Sequence, residues 1–176
     1  LSDQVSSELA GPCIGVFATS DPRIDDESRQ RCQNIVRMTA DILADAITLP
    51  DGSPVGVVWT PILVDGEQQA DMAASQFTDE GVDILVCMPD TWAFPQPTVA
   101  SLLSHFPAET PINLTCGNSG PKPGVVFTQA MNGALSQSGK LTHINVGNWP
   151  DEGMEPEMTD ETAQELVGLV QRLELC

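Results

Sequence analysis

Five short, largely apolar runs rich in β-branched residues recur along the chain, at Cys13–Thr19, Val55–Val64, Val82–Met88, Ile112–Cys116 and Leu141–Val146, each bounded by Gly, Pro or Asp. Runs of this kind, continuous rather than alternating, are strands covered on both faces, which is the condition of a parallel sheet. Between them the spacing changes to that of helices. Ile35, Met38, Ile42 and Leu43 mark one apolar stripe, and Met72, Ala73 and Phe77 a second. Val99, Leu102 and Leu103 give a shorter third, and Val126, Phe127, Ala130, Met131 and Leu135 a fourth. A fifth helix is expected to begin near Thr159, an N-cap followed by Asp160 and Glu161 where the helix dipole favours acids, with Leu166, Val167, Val170 and Leu173 as its buried stripe. This alternation predicts an α/β fold: a doubly wound, mostly parallel five-stranded sheet with helices on both faces, right-handed crossovers and the flavodoxin-like order 2-1-3-4-5.

The 176 residues fit one domain, 1–176. The last helix runs towards Cys176 with no Gly stop, no basic last turn and no following Pro, so the chain reads either as a fragment of something longer or as one that ends in a frayed natural terminus. Cysteines stand at 13, 32, 87, 116 and 176, an odd number, with four in or beside apolar stretches; that is the pattern of reduced thiols and a cytoplasmic location. The first residues lack a basic flank and apolar run, and no stretch of eighteen apolar residues occurs, which argues against secretion and membrane insertion. A net charge of −18 argues against nucleic acid and anionic membranes as partners, since both would be repelled.

Ligands of open parallel sheets settle beyond the carboxyl ends of the strands, so the loops that follow the strands are where chemistry is expected. After the first strand, Asp21, Pro22 and Arg23 form a stiff turn. Its guanidinium either holds a sugar hydroxyl or carboxylate through paired hydrogen bonds or is taken up by a neighbouring acid, with Ser20 and Asp21 capping the helix. After the third strand, Asp90, Trp92 and Phe94 lie between prolines. Trp92 is either a flat wall for the apolar face of a sugar, with the Asp90 carboxylate accepting hydroxyls, or simply packs over a helix end. After the fourth strand, Gly117, Gly120 and Gly124 permit close backbone approach, with Asn118 and Lys122 as donors; a Gly/Pro-rich turn without a ligand accounts for the same residues. The loop after the fifth strand brings Asn148 and Trp149 to the same end.

Other chemistries find little footing. His105 and His143 stand at no metal-ligand spacing, and no Gly-x-Ser-x-Gly, Gly-x-Gly-x-x-Gly, P-loop or Cys-x-x-Cys motif occurs. A phospho-acceptor receiver would need an acidic pair directly after the first strand and a Lys after the fifth, and a flavin site would need a Ser/Thr/Gly cradle in the first loop.

The first-strand loop with Asp21 and Arg23, the third-strand end running into Trp92, and Asn118 with Lys122-Pro123-Gly124 opening the next helix resemble, in sequence and mutual spacing, the first domain of the L-fucose isomerase family. The similarity runs from Ile14 to the last helix. Pro22 stands where the family pattern has Gly, and Lys122 where it has Arg. The resemblance implies a three-domain, oligomeric, manganese-dependent ketol isomerase acting on an aldose or ketose, with the metal-binding Glu, Asp and His in later domains. On this reading the chain binds no metal and performs no proton transfer itself; Arg23, Trp92 and Asn118, with Asp21, Asp90 and Lys122, help close the substrate pocket, either of the same subunit or of a neighbour in a homo-oligomer. The alternative is a stand-alone sugar-binding or regulatory module that has the fold without the activity.

Overall fold

The structure is a computed structural model, and it describes residues 11–117, 124–147 and 156–174. Its element order is β1 Cys13–Phe17, α1 Asp26–Ala46, β2 Gly56–Trp59, α2 Glu67–Asp79, β3 Ile84–Cys87, a π-helical turn Gln96–Ala100 continuing into α3 Ser101–Leu103, β4 Ile112–Cys116, α4 Gly124–Gln137, β5 Thr142–Val146 and α5 Asp160–Glu174. The strands form one sheet in the order β2-β1-β3-β4-β5, and every pairing is parallel. Both the fold class and the strand order agree with the sequence reading.

Strand residues of alternating parity feed two cores. Ile14, Val16, Ile84 and Val86 pack with Ile35, Val36, Leu43, Leu166 and Val170, so α1 and α5 cover one face. Phe17, Leu85, Ile112 and Leu114 pack with Ala73, Phe77, Leu102, Phe127 and Met131, so α2, α3 and α4 cover the other. Full burial on both faces holds for β3 and β4, whereas β2 and β5, at the sheet edges, are largely half-buried or exposed.

Several local expectations are corrected. Asp25, not Ser20 or Asp21, caps α1, accepting a hydrogen bond from the Ser28 amide at 2.8 Å. Met72, Val126 and Ala130 are exposed, so the stripes of α2 and α4 are narrower than the apolar pattern suggests. The third helix is mostly a π-helical turn, with only three α-helical residues after it. The N-terminus of α5 is as expected, with the Thr162 amide donating to Thr159 Oγ1 at 3.3 Å, but its last turn does contain a basic residue, Arg172. Leu173, read as part of the α5 stripe, has a side chain outside the described set. Among the described residues no helix is long and apolar enough to cross a membrane.

Candidate functional site

The strand order reverses its direction of growth at β1, which pairs β2 on one side and β3 on the other. Segments leaving the carboxyl ends of β1 and β3 therefore part around a crevice, the usual ligand position in open α/β sheets. The two ends are tied together, since the Met88 amide donates to the Phe17 carbonyl at 2.8 Å.

On the β1 side the Asp21-Pro22-Arg23 turn closes on itself. Arg23 donates from Nε to Asp21 Oδ1 at 2.8 Å and from Nη2 to Asp21 Oδ2 at 2.6 Å, and its backbone amide reaches Oδ1 at 2.9 Å. The hydrogen bonds from Arg23 hold the Asp21 carboxyl down to a pKa of about 2, against the usual carboxylate range. The Asp21 side chain is 11% exposed and that of Arg23 78% exposed. The acid-paired reading of Arg23 is thus realised, and it leaves the guanidinium fixed in plane with its other N–H groups directed to solvent. Ser20, beside this fork, has a buried hydroxyl with no partner among the described residues.

On the β3 side Asp90 is turned into the fold. Its Oδ2 accepts from Arg31 Nε at 2.7 Å and its Oδ1 from Arg31 Nη2 at 3.4 Å, with side chains only 4% and 6% exposed. The carboxylate anchors the loop to α1, and the aromatic residues after it reach the surface. Trp92 is half-buried; it meets Phe127 of α4 edge-to-face at 6.2 Å and Phe94 at 6.4 Å. Phe94 is 48% exposed, and its carbonyl is held by Thr98 Oγ1 at 2.6 Å. Packing on a helix end and presenting an aromatic surface are accordingly both satisfied by one arrangement.

Gly124 brings the start of α4 to the same place. A Cβ there would lie 2.4 Å from the Pro89 carbonyl oxygen, 2.7 Å from Cys116 Sγ and 2.8 Å from the Asp90 carbonyl carbon, so no larger residue fits. Asn118 and Lys122 lie outside the described residues, as do Asn148 and Trp149. Of the predicted site residues, the structure therefore brings Asp21, Arg23, Asp90 and Trp92 to one end of the sheet.

Arg31 is the residue that sequence reasoning missed. A signal existed, because Arg31 precedes Ile35 by four positions and so shares its buried stripe. The other polar features are more ordinary: His105 Nε2 lies 2.9 Å from Asp71 Oδ1 at the surface, and burial pushes the Cys32 and Cys87 thiols well above their usual range. Among the described residues no group of three or more His, Cys, Asp or Glu is disposed to hold a metal ion.

An all-parallel sheet with a crevice at its β1/β3 switch point defines a doubly wound α/β domain. Residues 11–172 match the family model described as L-fucose isomerase, first N-terminal domain, and the chain belongs to that family. No curated protein sequence matches the chain.

Proposed function

We propose that the chain is the substrate-recognition domain of a metal-dependent aldose–ketose isomerase of the L-fucose isomerase type. The supporting observation is that the family match is accompanied, at one crevice, by a fixed guanidinium fork and a braced aromatic pair. Sugar recognition calls for that combination: a flat apolar wall for the C–H face of the ring and oriented donors for its hydroxyls.

Interconverting an aldose and a ketose requires a base to carry a proton between adjacent carbons, and a bound Mn²⁺ would polarise the oxygens during that transfer. The described residues do not fit either task. The two buried carboxylates at the crevice are committed to Arg23 and Arg31, and no metal-binding cluster accompanies them. On this reading Mn²⁺, its ligands and the proton-transfer groups belong to other domains of the polypeptide, within a cytoplasmic homo-oligomer whose small-molecule substrate is an aldose or ketose. The share of this chain is positioning. Trp92 provides the wall, Arg23 its remaining N–H groups, and Asn118 and Lys122 further donors, while Asp21 keeps the guanidinium in one orientation.

The purified 176-residue chain is expected to show no sugar turnover with or without Mn²⁺; turnover in that assay would sink the proposal. In the full-length enzyme, Trp92→Ala is expected to raise KM or shift sugar preference, leaving metal binding intact. Unchanged kinetics would reduce Trp92 to a packing contact for Phe127.

A further inference from the structure

A second groove lies on the α1 face, at the β2 edge of the sheet. Gln30, Gln33, Asn34 and Arg37 occupy successive turns of α1 at the i, i+3, i+4, i+7 spacing of one helix stripe. Opposite them stand Trp59, the last residue of β2, and Pro61, and the six enclose an open cavity of about 220 Å³.

The rim is held in place. Gln33 Nε2 donates to the Pro61 carbonyl at 2.9 Å, Gln30 Nε2 to Asn34 Oδ1 at 3.1 Å, and Gln76 Nε2 to the Trp59 carbonyl at 3.2 Å. What remains available is the indole, with Trp59 37% exposed, and the Arg37 guanidinium. Arg23, Arg29 and Arg31 each pair with an Asp, but Arg37 has no ion pair among the described residues. The lining contains no acid at all, in a chain with 25 acids. An exposed ring beside an uncommitted guanidinium and rigid amides fits a ligand with one apolar face and several hydroxyls. A purely apolar ligand would cover the guanidinium without pairing it, and an anion would have to approach against a net charge of −18. The volume is below the roughly 300 Å³ at which pockets for drug-sized ligands begin, and it suits a single sugar ring.

We propose that this groove is a second sugar site, taking one neutral monosaccharide ring stacked on Trp59 and hydrogen-bonded by Arg37. It uses none of the residues of the β1/β3 crevice and does not depend on the isomerase reading. The test is an ¹⁵N NMR titration of the 176-residue chain with L-fucose, D-arabinose, D-glucose and D-fructose in turn, following the indole N–H of Trp59, assigned by Trp59→Phe, and that of Trp92. With at least one sugar the Trp59 signal should move saturably, and Arg37→Ala, a change at an exposed position, should weaken that titration roughly tenfold. A Trp59 signal that stays still with all four sugars overturns the proposal, whether or not Trp92 responds. So does a shift that is unaltered in Arg37→Ala. A Trp59 shift that follows protein concentration instead of sugar would make the groove a contact between copies, and that also overturns it. Movement at Trp92 bears on the crevice alone, so the two sites are judged separately.

Discussion

Replacing Arg31 by Met removes the guanidinium from Asp90 while keeping much of the buried side-chain volume. The pair is a demanding one to break, because the two side chains are only 6% and 4% exposed and meet at 2.7 Å. Two opposite charges about 4 Å apart attract by about 4 kcal/mol at an effective dielectric near 20, and removing one partner of a buried pair typically costs about 3–5 kcal/mol because the other charge stays buried. For a chain of this size each kcal/mol lowers Tm by about 2–4 °C, so Arg31→Met should melt roughly 6–20 °C below the parent. Asp90→Asn should also be costly, since the Arg31 guanidinium stays buried and charged, although the amide oxygen still accepts one of the two hydrogen bonds. The double replacement Arg31→Met with Asp90→Leu should recover much of the loss, as buried pairs exchanged for apolar residues often do. Urea unfolding followed by circular dichroism on the parent, Arg31→Met, Asp90→Leu and the double variant gives the coupling energy directly. A coupling below about 0.5 kcal/mol, or an Arg31→Met midpoint close to the parent, would refute the reasoning: the ion pair would then not be what fixes the Trp92 loop to α1.

Three further outcomes follow from the geometry. The Asp21 carboxyl should titrate near pH 2 by ¹³C NMR and move up towards the ordinary value of about 3.9 in Arg23→Gln; because folding lowers this pKa, the associated stability is complete above about pH 4 and is lost as pH falls through about 2. A midpoint indifferent to Arg23→Gln would mean the fork does not persist in solution. Gly124→Ala should destabilise by about 1–3 kcal/mol in urea, since the added Cβ would sit 2.4 Å from the Pro89 carbonyl oxygen and backbone atoms have little room to yield; a neutral result would place α4 differently. Phe127→Ala should cost about 3–5 kcal/mol and shift Trp92 emission to the red, because Phe127 is fully buried and forms the floor under that ring; unchanged emission would separate the two residues.

The sheet was legible because its signal is carried by residues that every parallel strand needs. Ile112–Cys116 is a strand in both sequence and structure, with the same ends. The second apolar run, Val55–Val64, reads longer than β2 because the ladder stops at Trp59, Pro61 has no N–H to donate, and pairing resumes only at the Thr19–Val64 bridge. The π-helical turn at Gln96–Ala100 begins directly after Pro95 and contains Pro97, and it has no periodicity of its own that three or four apolar residues could betray. For the candidate site, the sequence pointed to the loops at the carboxyl end of the sheet, and topology alone fixes where those loops go. It left open which partner each charged side chain would choose. Arg23 had Asp21, Asp25 and Asp26 within three positions, and only the closed turn selects Asp21; Asp90 finds Arg31 from 59 positions away, a pairing that no local pattern encodes.

The tight seat of Gly124 against Pro89 and Asp90 has a mechanical consequence. With no free space between the first residue of α4 and the peptide that leads to Trp92, neither can shift without displacing the other. A change in the loop that carries Trp92 therefore has to be matched by a change at the start of α4.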